Sequence, residues 1–140
     1  MKLKTTLTTL LLIILFSCQS QQFTIENLPQ RQLVFGKGGG MVGSVDAYIL
    51  LENGQLFHTN SLTKKSEELV QVGKAKTKEL FDQLEALKLG NMDFNHPGNI
   101  YYFIEDVGED GNKKVVWGSN DYKVDPLCKT LYNNLVEQLK

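Results

Sequence analysis

Apolar and polar positions along the chain switch between a period of two and a period near 3.6, and the switches order its elements. Arg31 to Phe35 reads as a short first strand, with Leu33 and Phe35 on one face. Ser44 to Glu52 alternates most clearly, with Val45, Ala47, Ile49 and Leu51 set against Ser44, Asp46, Tyr48 and Glu52. Asn53-Gly54 follows, two residues that tolerate positive φ, and predicts a hairpin returning over Gln55 to Thr59. Glu68 to Val72 alternates again and reads as a further strand. Lys74 to Lys88 changes to helical spacing, with Leu80, Phe81, Leu84 and Leu87 on one side and Lys76, Lys78, Glu79, Asp82 and Glu85 on the other.

Leu89-Gly90-Asn91 closes that helix, and Met92 to Asn99 reads as a loop. Ile100 to Val107 is apolar on both faces, as a central strand is. A turn at 109–112 leads to a return strand, Lys113 to Trp117. After a polar loop, Asp125 is placed as an N-cap and Pro126 in the first turn of a last helix. Leu127, Leu131, Leu135 and Leu139 form its stripe, with Cys128 and Tyr132 beside it. The order is ββ(ββ)αββα. It predicts an α+β fold, an antiparallel sheet of four to six strands with two helices packed on one face.

The first residues carry a different signal. Lys2 and Lys4 precede an apolar run from Leu7 to Phe16, interrupted only by Thr8 and Thr9 and too short to span a bilayer comfortably. Leu15-Phe16-Ser17-Cys18 then resembles a bacterial lipobox, with Phe16 bulkier than the usual residue at its place. The division expected is a lipoprotein signal peptide over 1–17, a lipidated tether over 18–30 and a single domain over 31–140. Cys18 is the lipid attachment residue, and the membrane is met through that lipid. Gln19 follows Cys18 where an Asp would favour the inner membrane, and no acidic run follows, so the outer membrane facing the periplasm is the expected location.

Removing the signal leaves 123 of the 140 residues, enough for one modest core. It removes two lysines and no acids, leaving 13 basic residues against 16 acidic ones, a net charge of −3. That balance gives no reason to expect nucleic acid as a partner. Cys128 is then the one remaining thiol, and its place in an apolar pattern predicts a buried, inert side chain.

Candidate chemistry is sparse. The stretch Gly36-Lys37-Gly38-Gly39-Gly40-Met41-Val42-Gly43-Ser44 has its lysine at the wrong end for a phosphate loop, and a strand follows where a helix is needed. It reads as a bend requiring backbone freedom. Gly39, Gly40, Met41, Val42 and Gly43 also form a candidate partner-binding loop, with two apolar residues at a tip flanked by glycines. His58 and His96 have no metal-ligand partner at helical spacing, and no nucleophile elbow is present. No catalytic residue, metal ligand or cofactor is assigned. Tyr101, Phe103 and Trp117 are the candidate aromatic surface, on the central strand and its neighbour.

Several stretches together carry a resemblance. They are Gly39-Gly40-Met41-Val42-Gly43 after a first strand, YILLENGQLF over 48–57, the helix ELFDQLEAL, and the loop containing Pro97. NIYYFIED and the closing VVWGSND…DPLCKTLYNNL complete the set. Across residues 31–140 the pattern resembles uncharacterised lipoprotein domains of Bacteroidetes and emfourin-type domains, protein inhibitors of thermolysin-like metalloproteases. It implies a lipid-anchored envelope protein that acts as a non-catalytic protein-binding module, with a protease as one candidate partner. No inhibitory residue is carried over. The alternatives are an accessory or structural envelope lipoprotein without a tight partner, and a small hydrolase whose site the sequence hides.

Overall fold

The computed structural model describes residues 20–140. The expected signal peptide over 1–17 and the expected lipid attachment residue Cys18 lie outside the described residues. The fold is α+β, with seven strands in one sheet and two helices among the described residues. The strands are β1 (Gln32–Gly39), β2 (Ser44–Leu51), β3 (Leu56–Asn60), β4 (Ser66–Glu68), β5 (Asn95–His96), β6 (Ile100–Val107) and β7 (Lys113–Trp117). The helices are α1 (Lys74–Leu87) and α2 (Pro126–Val136), and the spatial strand order is β4-β3-β2-β1-β6-β7-β5.

The sheet is mixed, which corrects the antiparallel expectation and its upper limit of six strands. The extra strand is β5, which lies parallel to β7 inside the segment read as a loop. Val116 donates to the Phe94 carbonyl at 3.0 Å and Ser119 to that of His96 at 3.0 Å. Two residues are too few to print a periodicity, and Pro97 ends the run at once.

β4 is also displaced from its expected place. The alternation over 68–72 does not make a strand, because Leu69 and Val72 turn inward three residues apart while Val70 is 81% exposed. Leu69 donates to Leu56 at 2.7 Å and Val72 to Gly54 at 2.9 Å, two isolated bonds beside the β2–β3 turn. The regular pairing lies earlier, at Ser66–Glu68.

Register sorts the two sheet faces. Leu33 pairs with Leu50, Phe35 with Tyr48 and Ile104, and Tyr102 with Trp117. These face the helices. Leu80, Phe81, Leu84 and Leu87 of α1 join Cys128, Leu131 and Leu135 of α2 in one buried cluster with them. In α2 Asp125 caps the start as expected, accepting from the Leu127 amide at 2.8 Å. Leu127 itself is 62% exposed, and Cys128 takes its expected place in the core. Burial pushes the Cys128 thiol up to about 11, as suits an unreactive sulfur.

The segment ahead of β1 packs partly with the domain. Gln55 is buried, and its side chain imitates a backbone amide. Its oxygen accepts from the Phe23 amide at 2.8 Å and from Asn53 Nδ2 at 2.6 Å. Its nitrogen donates to the Phe23 carbonyl and to Glu68, both at 3.0 Å. Asn53 also donates to the Gln21 carbonyl at 2.7 Å. Replacing Gln55 with Ala strips the partners from two backbone groups. It is expected to cost about 2–3 kcal/mol and to speed proteolytic cutting before residue 30. Unchanged cutting would contradict this reading of Gln55.

Candidate functional site

β1 does not stop at Phe35 but continues through the glycines to Gly39. The reason sits across the ladder on β6. Gly36 pairs with Phe103, and Gly38 with Tyr101. A Cβ on Gly36 would stand 2.9 Å from the Phe103 ring, and one on Gly38 2.5 Å from the Tyr101 hydroxyl. Each aromatic ring fills the space its glycine leaves open, on the face away from the helices. Phe103 is therefore only 3% exposed, with the Lys114 ammonium 4.2 Å from its ring centre.

Gly39 (φ +98°), Gly40 (φ +76°) and Gly43 (φ +64°) then turn the chain through conformations that residues with a Cβ rarely adopt. Gly40 donates to the Asn99 carbonyl at 2.8 Å, which moors the hairpin to the start of β6. Between these glycines Met41 is fully exposed and Val42 is 69% exposed. The candidate loop is thus the tip of the β1–β2 hairpin.

The three candidate aromatics do not share a surface. Strand alternation sends Tyr101 and Phe103 to one face, whereas Trp117 pairs with Tyr102 on the helix face. There it joins an aromatic corner. The Tyr102 and Trp117 rings lie 6.0 Å apart and nearly parallel at 27°. Tyr132 from α2 stands across both, at 72° to Tyr102 and 87° to Trp117. The row continues through Phe35 to Tyr48, whose ring stacks on Phe35 at 5.2 Å and on His58 at 4.8 Å.

A cleft of about 410 Å³ opens over this corner, between the 118–124 loop and the first turns of α2. Tyr102, Trp117 and Tyr132 supply its aromatic wall, and Tyr122 its outer lip. Tyr122 is propped from behind by His96, with ring centres 3.7 Å apart and planes at 8°. Ser119, Asn120, Asn133 and Lys129 complete the lining with polar groups. Of these residues the sequence had singled out Trp117. The others lie on a strand, a loop and a helix far apart along the chain, and only packing gathers them.

Burial, with smaller contributions from Tyr102 and Tyr48, pushes the Tyr132 hydroxyl from 10.0 up to about 12. A raised folded value favours the protonated form, so its contribution is fully present below about pH 10 and is lost as pH rises toward 12. Tyr132→Phe is expected to lose on the order of 2 kcal/mol less stability than the parent between those limits, with little change at neutral pH. Chemical denaturation across the range checks this, and parallel curves would refute it.

His58 lies at the other end of the aromatic row. Its Nε2 is 3.0 Å from Asp46 Oδ1 and its Nδ1 3.2 Å from Glu67 Oε1. Hydrogen bonds from Asn60 and then His58 hold the Asp46 carboxyl below its ordinary range. Both ring nitrogens thus face carboxylates of neighbouring strands. The cluster ties β2, β3 and β4 together. Among the described residues no group of three His, Cys, Asp or Glu side chains is placed to hold a metal ion. No helix among them is long and apolar enough to cross a membrane.

The hairpin tip and the cleft lie at the same end of the sheet, where Gly39 pairs with Ile100 and β7 ends at Trp117. The Asn53-Gly54 turn that holds Gln21 lies at the opposite end. No protein-family model matches the chain, and comparison with curated proteins finds no match.

Proposed function

We propose that the protein is a non-catalytic, protein-binding module of the cell envelope, anchored by a lipid on Cys18 in the outer membrane and facing the periplasm. It captures its partner with the β1–β2 hairpin tip. The observation that carries this reading is the pair Met41 and Val42. Two adjacent apolar side chains stand out in water on a glycine-framed turn that is moored at its base. Such a tip presents apolar area to a partner's pocket at little ordering cost, because its base is already fixed.

The anchor geometry supports the same reading. Gln21, three residues after Cys18, is bound at the far end of β2. Eight strand residues at about 3.3 Å each set the tip roughly 25 Å from that point. The lipid therefore holds the domain with its recognition end outward. The emfourin resemblance makes a thermolysin-like metalloprotease the first candidate partner.

The test is a titration of the detergent-solubilised mature lipoprotein against such a protease and against an unrelated serine protease. Saturable one-to-one inhibition of the metalloprotease alone is the expected result. Cleavage at the tip without inhibition would overturn the inhibitor assignment.

A further inference from the structure

The cleft over the aromatic corner is not used by the hairpin-tip reading. We infer that it is a binding site for an acidic saccharide. The inference stands apart from capture of a protein by Met41 and Val42, and neither depends on the other.

The wall comes first. Tyr102 and Trp117 pair across β6 and β7, with Tyr132 perpendicular to both. Aromatic faces carry negative quadrupole charge, and the C–H groups on one side of a pyranose ring carry partial positive charge. A sugar thus meets an aromatic corner with its C–H side, a contact that a fully polar or fully aliphatic ligand cannot match. Tyr122 adds a fourth ring at the lip, held by its stack on His96.

The polar groups suit the rest of such a ligand. Asn120 and Asn133 each offer an amide donor and acceptor, and Ser119 a hydroxyl, which matches adjacent sugar hydroxyls. Among the described residues no hydrogen bond occupies the Tyr102 or Tyr132 hydroxyl, and no buried polar side-chain atom lacks a partner. Those two hydroxyls therefore remain open at the cleft. Raised as it is, the Tyr132 hydroxyl stays protonated and able to donate throughout the neutral range.

Charge sets the acidic preference. Lys129 is the cation lining the cleft, no carboxylate lines it, and Lys129 forms no ion pair among the described residues. An unpaired ammonium beside neutral donors favours a ligand with one carboxylate. The volume falls within the range of about 300–1,000 Å³ usual for small-ligand sites.

Trp117 is the one tryptophan of the chain and lies in the cleft, so its fluorescence reports occupancy. The mature lipoprotein, in a detergent without a sugar headgroup, is titrated with digalacturonic acid and with neutral cellobiose. The expected result is a saturable change in emission, with the acidic disaccharide bound about tenfold tighter. Lys129→Gln is expected to erase that difference, and Tyr122→Ala to weaken both ligands about tenfold. Both side chains are exposed, so neither change threatens the fold. No saturable change up to about 10 mM, equal affinity for the two sugars, or binding unaltered in both variants would overturn the inference.

Discussion

Gly36→Ala is expected to unfold the protein or to cost it about 3 kcal/mol or more, although alanine adds one methyl group. The backbone of Gly36 is ordinary, so the effect comes from space alone. An added Cβ overlaps the Asp46 carbonyl oxygen and stands 3.0 Å from the Ala47 Cα, both backbone atoms of β2. On its other side lies the Phe103 ring. Backbone cannot yield as a side-chain end can, so β1 and β2 must separate, and β1 is central to the sheet. Total stabilities of about 5–15 kcal/mol leave little margin for that. Gly40→Ala is the control. It meets nothing within 4 Å and suffers only from its φ of +76°, for a cost of about 1 kcal/mol. Denaturation midpoints for the two variants decide the matter, and a Gly36→Ala protein as stable as the parent would show that β1 is not packed as described.

The double substitution Met41→Ser with Val42→Ser is expected to act in the opposite way. Neither side chain contributes to the core, so stability should stay within about 0.5 kcal/mol of the parent. Partner affinity should fall about 100-fold or more, because a tip that fills a pocket concentrates binding energy in few side chains. Equal affinity in the variant, with a folded domain, would remove the hairpin from the interface.

These two predictions also mark what the sequence reveals and what it hides. The long elements were legible from their patterns: β2 alternates in sequence, α1 repeats its leucines, and Asp125-Pro126 announces α2. The face of β2 was not, because Tyr48 and Leu50 turn to the helices, whereas Val45, Ala47 and Ile49 lie half-buried on the other side. The glycine stretch was legible as a bend. Its extension of β1 was not, since the space left by Gly36 and Gly38 is filled by rings some 65 residues away. β5 was missed because two residues carry no period, and β4 was misplaced because Leu69 and Val72 bury at a spacing of three. The cleft was the least legible part. Tyr102 follows from alternation once Ile100–Val107 is a strand, but its meeting with Trp117 needs the β6–β7 register, and Tyr132 needs the docking of α2. Each ring looks like core when read in its own element.

The most direct test of the account places a photo-reactive residue in the protein expressed from its full sequence, at Met41 in one variant and at Glu52 in another. Both positions are exposed, and they lie at opposite ends of β2. Irradiation of intact envelopes should give a discrete protein adduct from position 41 and none from position 52. An adduct from position 52 with none from position 41 would contradict the claim that the hairpin tip faces outward and binds.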